Sequence, residues 1–114
     1  YLTGSDALGI NPGVVMFTSQ AVDGKKAEIQ AMYRAYNKAV AYLNQTDRSE
    51  YIDLVVEKGG FPPAAREALQ LTPYHEAALP KEQDVTDCID WLHQKQLIHG
   101  TYRYEDLIVD LFDK

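Results

Sequence analysis

Residues Gly24–Gln45 read GKKAEIQAMYRAYNKAVAYLNQ. Ile29, Met32, Tyr33, Tyr36, Val40 and Leu43 recur at three- and four-residue steps, so on a helix they form one apolar stripe. Lys25, Lys26, Glu28, Arg34 and Lys38 decorate the remaining surface. At 1.5 Å per residue this helix would be about 33 Å long, enough to cross a small domain. A stretch of this length and period makes the chain mostly helical, and the other elements are read around it.

Toward the C-terminus, Asp47 precedes Glu50 by three residues, a capping-box-like start with Asp in the cap role. It predicts a second helix over about Arg48–Lys58 with Tyr51, Ile52, Val55 and Val56 on one face. Lys58 suits the negative end of the helix dipole, and Gly59-Gly60 supplies a left-handed stop. Phe61-Pro62-Pro63 starts a shorter helix running to about Leu69, with proline in its first turn. Gln70–Pro80 reads as an extended connection carrying Pro73, Tyr74 and Pro80. A fourth helix is predicted over about Lys81–Gln96, with Val85, Cys88, Ile89 and Leu92 on its apolar face and Trp91 beside it. Glu82, Asp84 and Asp87 come early and Lys95 late, in accord with the dipole. Tyr104–Leu111 is predicted as a last short helix contributing Leu107, Ile108 and Leu111.

Toward the N-terminus, residues 1–13 are rich in turn formers and read as loop, with a strand end at Tyr1–Thr3. Val14-Val15-Met16-Phe17-Thr18-Ser19 follows. Its four consecutive apolar residues leave no polar face, which predicts a strand buried on both sides. The total is five helices and one strand. A buried strand needs ladder partners, because unpaired backbone groups in a core are costly. Nothing else in the sequence reads as a central strand. Either the run is a collapsed loop, or its partners lie on another molecule or on chain outside these residues. Chain outside these residues is the expectation.

Length and composition bound the function. The chain has 114 residues and a mass of 12.9 kDa, room for one core. Hydrophobic residues at 46% and charged residues at 25% are ordinary for a folded domain, which argues against disorder. Eleven Lys and Arg against seventeen Asp and Glu give a net charge of −6, which disfavours a nucleic-acid partner. No apolar run approaches the roughly 20 residues needed to cross a bilayer. Cys88 is the single cysteine, so no internal disulfide forms and no cysteine-based metal site exists.

Motifs for chemistry are few. There is no phosphate-binding glycine loop, no dinucleotide fingerprint and no nucleophile elbow. His93 and His99 are six apart, a spacing that does not place them on one helix face as a zinc pair, and His75 lies in the extended connection. Exposed or hydrogen-bonded histidines are the expectation, and no metal is assigned. Cys88 is expected to be a buried thiol acting as a small hydrophobe, since Asp84, Asp87 and Asp90 nearby oppose a thiolate. No catalytic residue, and hence no enzyme, is expected, and no cofactor is assigned. Eight tyrosines are more than expected for this length. Packing with a hydrogen-bonded hydroxyl is the default for Tyr33 and Tyr36. Tyr1, Tyr74, Tyr102 and Tyr104 fall in loops or at helix starts, where packing outranks a role in a cleft.

The order of short segments says more than any motif. Leu8-Gly9-Ile10-Asn11-Pro12-Gly13-Val14-Val15-Met16-Phe17 precedes the helix Gln30–Asn44. Then come Gly60-Phe61-Pro62, Pro80, Asp84-Val85, Asp90-Trp91-Leu92-His93-Gln94-Lys95 with Leu97-Ile98, and Tyr104-Glu105-Asp106-Leu107. This order resembles the C-terminal portion of the substrate-binding proteins of ABC importers. The branch concerned includes aliphatic-sulfonate, nitrate and taurine binders and pyrimidine-precursor synthases.

The resemblance implies a two-lobed, type 2 periplasmic-binding fold, an α/β architecture of which this chain would be a C-terminal fragment of one lobe. Residues 1–13 would form the crossover between lobes. Residues 14–114 would form the C-terminal part of lobe one, with Val14–Ser19 as the strand returning to it. Such a protein captures a small solute between its lobes and presents it to a membrane permease, from a periplasmic or extracellular, membrane-anchored position. Ser5 and Asp6, just before the crossover, are the candidate ligand-binding residues, against the alternative that Asp6 bonds its own backbone in a turn. Two other readings stay open. One is a free-standing helical interaction module whose apolar strand pairs between two copies. The other is an enzyme on the same fold, like the pyrimidine-precursor synthases.

Overall fold

The computed structural model describes residues 13–71 and 73–112. Among them are six α-helices: α1 (Ser19–Gly24), α2 (Lys26–Gln45), α3 (Arg48–Gly59), α4 (Ala65–Ala68), α5 (Glu82–Gln94) and α6 (Tyr104–Leu107). The described residues contain no strand, so the fold is mostly α. They divide into two compact units, a middle one over Ala27–Ala77 and an outer one from the segments on either side of it.

In the middle unit, α2 follows the apolar stripe in part. Ile29 and Val40 are buried and Tyr33 and Leu43 half-buried, while Met32 and Tyr36 are exposed. Thr46 and Asp47 separate α2 from α3. Asp47 caps α3 as expected, but its Oδ1 accepts from the backbone N–H of Ser49 at 2.8 Å, two residues on. Ile52 and Val56 are the buried residues of α3, and Ile52 is fully enclosed. At the far end, Gly60 takes φ 68°, Gly60 N–H bonds Glu57 C=O, and Phe61 N–H bonds Val56 C=O. This six-to-one and five-to-two pair is a Schellman stop.

The helix expected over Phe61–Leu69 is confined to Ala65–Ala68. The Ala65 and Arg66 amides reach back only three residues, to the carbonyls of Pro62 and Pro63, so the prolines start a turn and not a full helix. The short α4 packs against α3. Arg66 of α4 pairs with Asp53 of α3, and Arg48 at the start of α3 donates to the carbonyls of Arg66 and Leu69. These bonds fold the proline-led segment back along α3.

In the outer unit, Val14–Thr18 carry no regular structure and Ser19 already begins α1. This corrects the expectation of a strand over Val14–Ser19. Two physical reasons stand out. No strand among the described residues offers a ladder, and Thr18 Oγ1 accepts from the Ala21 N–H at 3.2 Å, a cap that turns the chain into a helix. Nor is the run buried: Val14, Val15 and Met16 are 54%, 63% and 85% exposed.

α5 starts after Lys81 and buries none of its residues, with Val85, Ile89 and Leu92 half-buried. It ends two residues before the expected Gln96 because Gln96 itself has φ 58°. Gln96 N–H bonds His93 C=O and Leu97 N–H bonds Leu92 C=O, a second Schellman stop. α6 packs against α5 and ends at Leu107, not Leu111, since Ile108 is extended at φ −108° and ψ 128°. Tyr104 donates its hydroxyl to Pro80 C=O at 2.9 Å, and Leu111 is the buried side chain here. No helix among the described residues is long and apolar enough to cross a membrane.

Candidate functional site

Residues 73–80 run without helix, turn or bend. Their first part, Pro73–Ala77, lies along α2 as a strap held through its backbone. Asn44 Nδ2 donates to Tyr74 C=O at 2.8 Å. Tyr36 donates its hydroxyl to His75 C=O at 3.1 Å. Ala77 donates its N–H to Asn37 Oδ1 at 2.7 Å.

The register has a simple origin. Asn37 and Asn44 are two helical turns apart, about 10 Å of rise. Their strap partners, Tyr74 and Ala77, are three residues apart, also about 10 Å when the chain is extended. From Tyr74 to Ala77 the asparagine partner steps back from Asn44 to Asn37, so the two run antiparallel, with the long Tyr36 side chain reaching His75 in between. A helix has no free backbone groups to offer an extended neighbour, and here side-chain amides and a phenol take that place.

At the Asn44 end lies a hollow of about 270 Å³, lined by Leu43, Asn44, Tyr51, Leu71, Pro73 and Tyr74. That is close to the lower limit of small-molecule pockets, about 300 Å³. Its lining supplies aliphatic, phenolic and amide groups. It has no carboxylate, thiol, imidazole or amine.

The sequence-derived candidates fare unevenly. Ser5, Asp6 and all but Gly13 of the crossover expected over residues 1–13 lie outside the described residues. Cys88 is exposed, which corrects the expectation of a buried thiol. It sits beside the Val85–Ile89–Leu92 stripe that turns inward, and this side of α5 stays in solvent. His75, His93 and His99 are exposed, and His75 engages through its carbonyl. No group of three or more His, Cys, Asp or Glu able to hold a metal ion occurs among the described residues. Tyr36 has the expected hydrogen-bonded hydroxyl but is 43% exposed. Tyr74 lines the hollow, and Tyr104 is half-buried with its hydroxyl engaged.

Asn37, Asn44 and Arg48 were not singled out by the sequence, and Tyr51 was read there only as part of the apolar face of α3. The signal for the asparagines was present. Asn is a poor helix former, and two of them seven residues apart beside an apolar stripe call for a partner other than the helix.

Electrostatics at the surface is local. The Asp47 carboxyl is held below its ordinary value first by the Ser49 side-chain hydrogen bond and then by the Ser49 backbone. Asp53 is lowered by its hydrogen bond from Arg66. Asp106 is lowered first by the Arg103 side chain and then by the Arg103 backbone N–H, which donates to Oδ2 at 3.1 Å. All three are explained by helix capping and ion pairing, and none lines the hollow. No protein-family model, curated protein or solved structure matches the chain.

Proposed function

We propose that the chain is the C-terminal portion of the solute-binding component of an ABC import system, working outside the cytoplasm. In this reading the whole protein captures a small organic solute between two lobes and hands it to a membrane permease. The ordered resemblance over Leu8–Leu107 motivates it. The observation that carries it is the exposed apolar run Val14-Val15-Met16, 54%, 63% and 85% exposed. Three adjacent apolar residues in water call for a cover, and in the resembling fold this position is the strand that returns to a lobe-one sheet. The helical character of Ser19–Leu107 fits the helices that pack on that lobe.

Ser5 and Asp6 remain the proposed solute contacts, and no catalytic role or cofactor is assigned.

The test is the mass of the natural gene product, followed by thermal melts of that product with alkanesulfonates, taurine, nitrate and aminopyrimidines. A mass well above 12.9 kDa and one solute that raises the melting temperature are expected. A natural product of 12.9 kDa overturns the reading. In that case a helical module that covers Val14–Met16 by self-association becomes the better account, and sedimentation would show a dimer.

A further inference from the structure

The strap and its ladder have a consequence apart from solute capture. Three hydrogen bonds join α2 to the strap, and each involves strap backbone: two carbonyls accept and one N–H donates. Pro73 has no N–H to offer, and His75 and Glu76 face solvent. Pro73 and Tyr74 are the strap residues at the wall of the hollow, with Leu43, Tyr51 and Leu71, and Tyr74 is still 39% exposed. A surface of this kind reads an extended main chain and takes one aromatic anchor. Main-chain bonds supply affinity and a side-chain pocket supplies specificity, as in other extended-peptide sites.

We propose that Tyr36, Asn37 and Asn44 form a docking ladder for an extended peptide segment bearing a Pro-Tyr pair, and that Pro73–Ala77 is its exchangeable occupant in cis. Three features argue for exchange. No described strap residue is buried, and two of the three bonds lie at exposed positions. Such segments open locally at far less cost than a packed core. The ladder residues sit on a 20-residue helix, which keeps their spacing whether or not the strap is seated. The occupant itself shows the chemistry that fits. A peptide in trans presents the same carbonyls, amide and phenol. It competes against a tethered strap at high effective concentration, so the intact chain binds it weakly.

The test measures fluorescence anisotropy of a labelled peptide with the sequence of residues 69–77 against the full-length protein. Two substitutions, Tyr74→Gly and Ala77→Pro, unseat the strap by removing the anchor and the donated N–H, and leave the ladder intact. Peptide affinity is expected to rise about tenfold or more in that variant, following the fraction of open ladder. Adding Asn37→Ala and Asn44→Ala is expected to abolish the gain. Equal affinity in the intact and unseated proteins, or a gain that survives loss of both asparagines, overturns the proposal. Hydrogen exchange at the Ala77 amide of the unsubstituted protein gives a second reading independent of any variant's folding. Saturating peptide is expected to speed that exchange, and an unchanged rate overturns the proposal. Solute binding by the whole protein bears on neither readout.

Discussion

Arg48, the first residue of α3, donates to the carbonyl of Leu69, the residue that closes α4, through Nε at 3.3 Å and Nη2 at 2.9 Å. One guanidinium thus ties the entry of one helix to the exit of another 21 residues later. Replacing Arg48 by Ala is expected to cost about 1–2 kcal/mol, the scale of a charged hydrogen bond at a part-buried site. Lys is expected to recover less than half of that, since an ammonium has no planar fork to span one carbonyl with two donors. Urea denaturation of the three proteins measures both differences.

Gly60 and Gln96 occupy the same left-handed place in two Schellman stops, with φ 68° and 58°. Opposite effects are expected from exchanging their chemistry. Gly60→Ala puts a Cβ into a conformation that disfavours L side chains and should destabilise by about 1 kcal/mol. Gln96→Gly removes such a Cβ and should stabilise by about 0.5–1 kcal/mol. Thermal melts of the two single variants and the double check the signs, and the double should lie near the parent.

Ile52 and Leu54 share α3, but Ile52 is fully buried and Leu54 is 57% exposed. Ile52→Ala is expected to cost about 2–5 kcal/mol, the transfer and cavity terms together. Leu54→Ala is expected to stay within about 0.5 kcal/mol of the parent. Similar losses at both positions in equilibrium unfolding would mean that α3 is turned differently from the arrangement described.

Asp47, Asp53 and Asp106 all have carboxyls held below the ordinary value of 3.8 by hydrogen bonds. A carboxylate whose folded value is depressed contributes its full share above the unfolded value and loses it as pH falls through the folded one. Stability should therefore be flat from neutrality down to about pH 5 and fall below about pH 4. Asp47→Asn keeps a capping side chain that does not titrate, so its acid loss should be shallower than the parent's. Urea midpoints along a pH series measure the two slopes.

Local pattern located the structure well where a long period or a cap was present. α2, α3 and α5 lie where apolar spacing and Asp47 placed them, because each signal resides within a few residues of the element it controls. It failed where the outcome depended on distant chain. Val14–Ser19 has strand-like residues, but strand formation needs a ladder that residue types alone cannot supply. The prolines at 62 and 63 were compatible with a first helical turn, and their carbonyls accept from amides three residues on in a tight turn instead. Arg48, Asn37 and Asn44 act on backbone 18 to 40 residues away, so the sequence around them does not say which backbone they meet. Cys88 shows a further limit: a stripe of four includes its margin, and the margin remained in water.

The two-turn spacing of Asn37 and Asn44 also sets what kinds of change α2 can absorb. Substitution between them leaves the spacing intact. Insertion or deletion of one residue there would turn Asn44 about 100° around the axis and shift it about 1.5 Å along it. The stretch 38–43 is thus fixed in length, while its exposed positions, Lys38, Ala39 and Tyr42, are free to drift in composition, a rigid ruler whose graduations are asparagines.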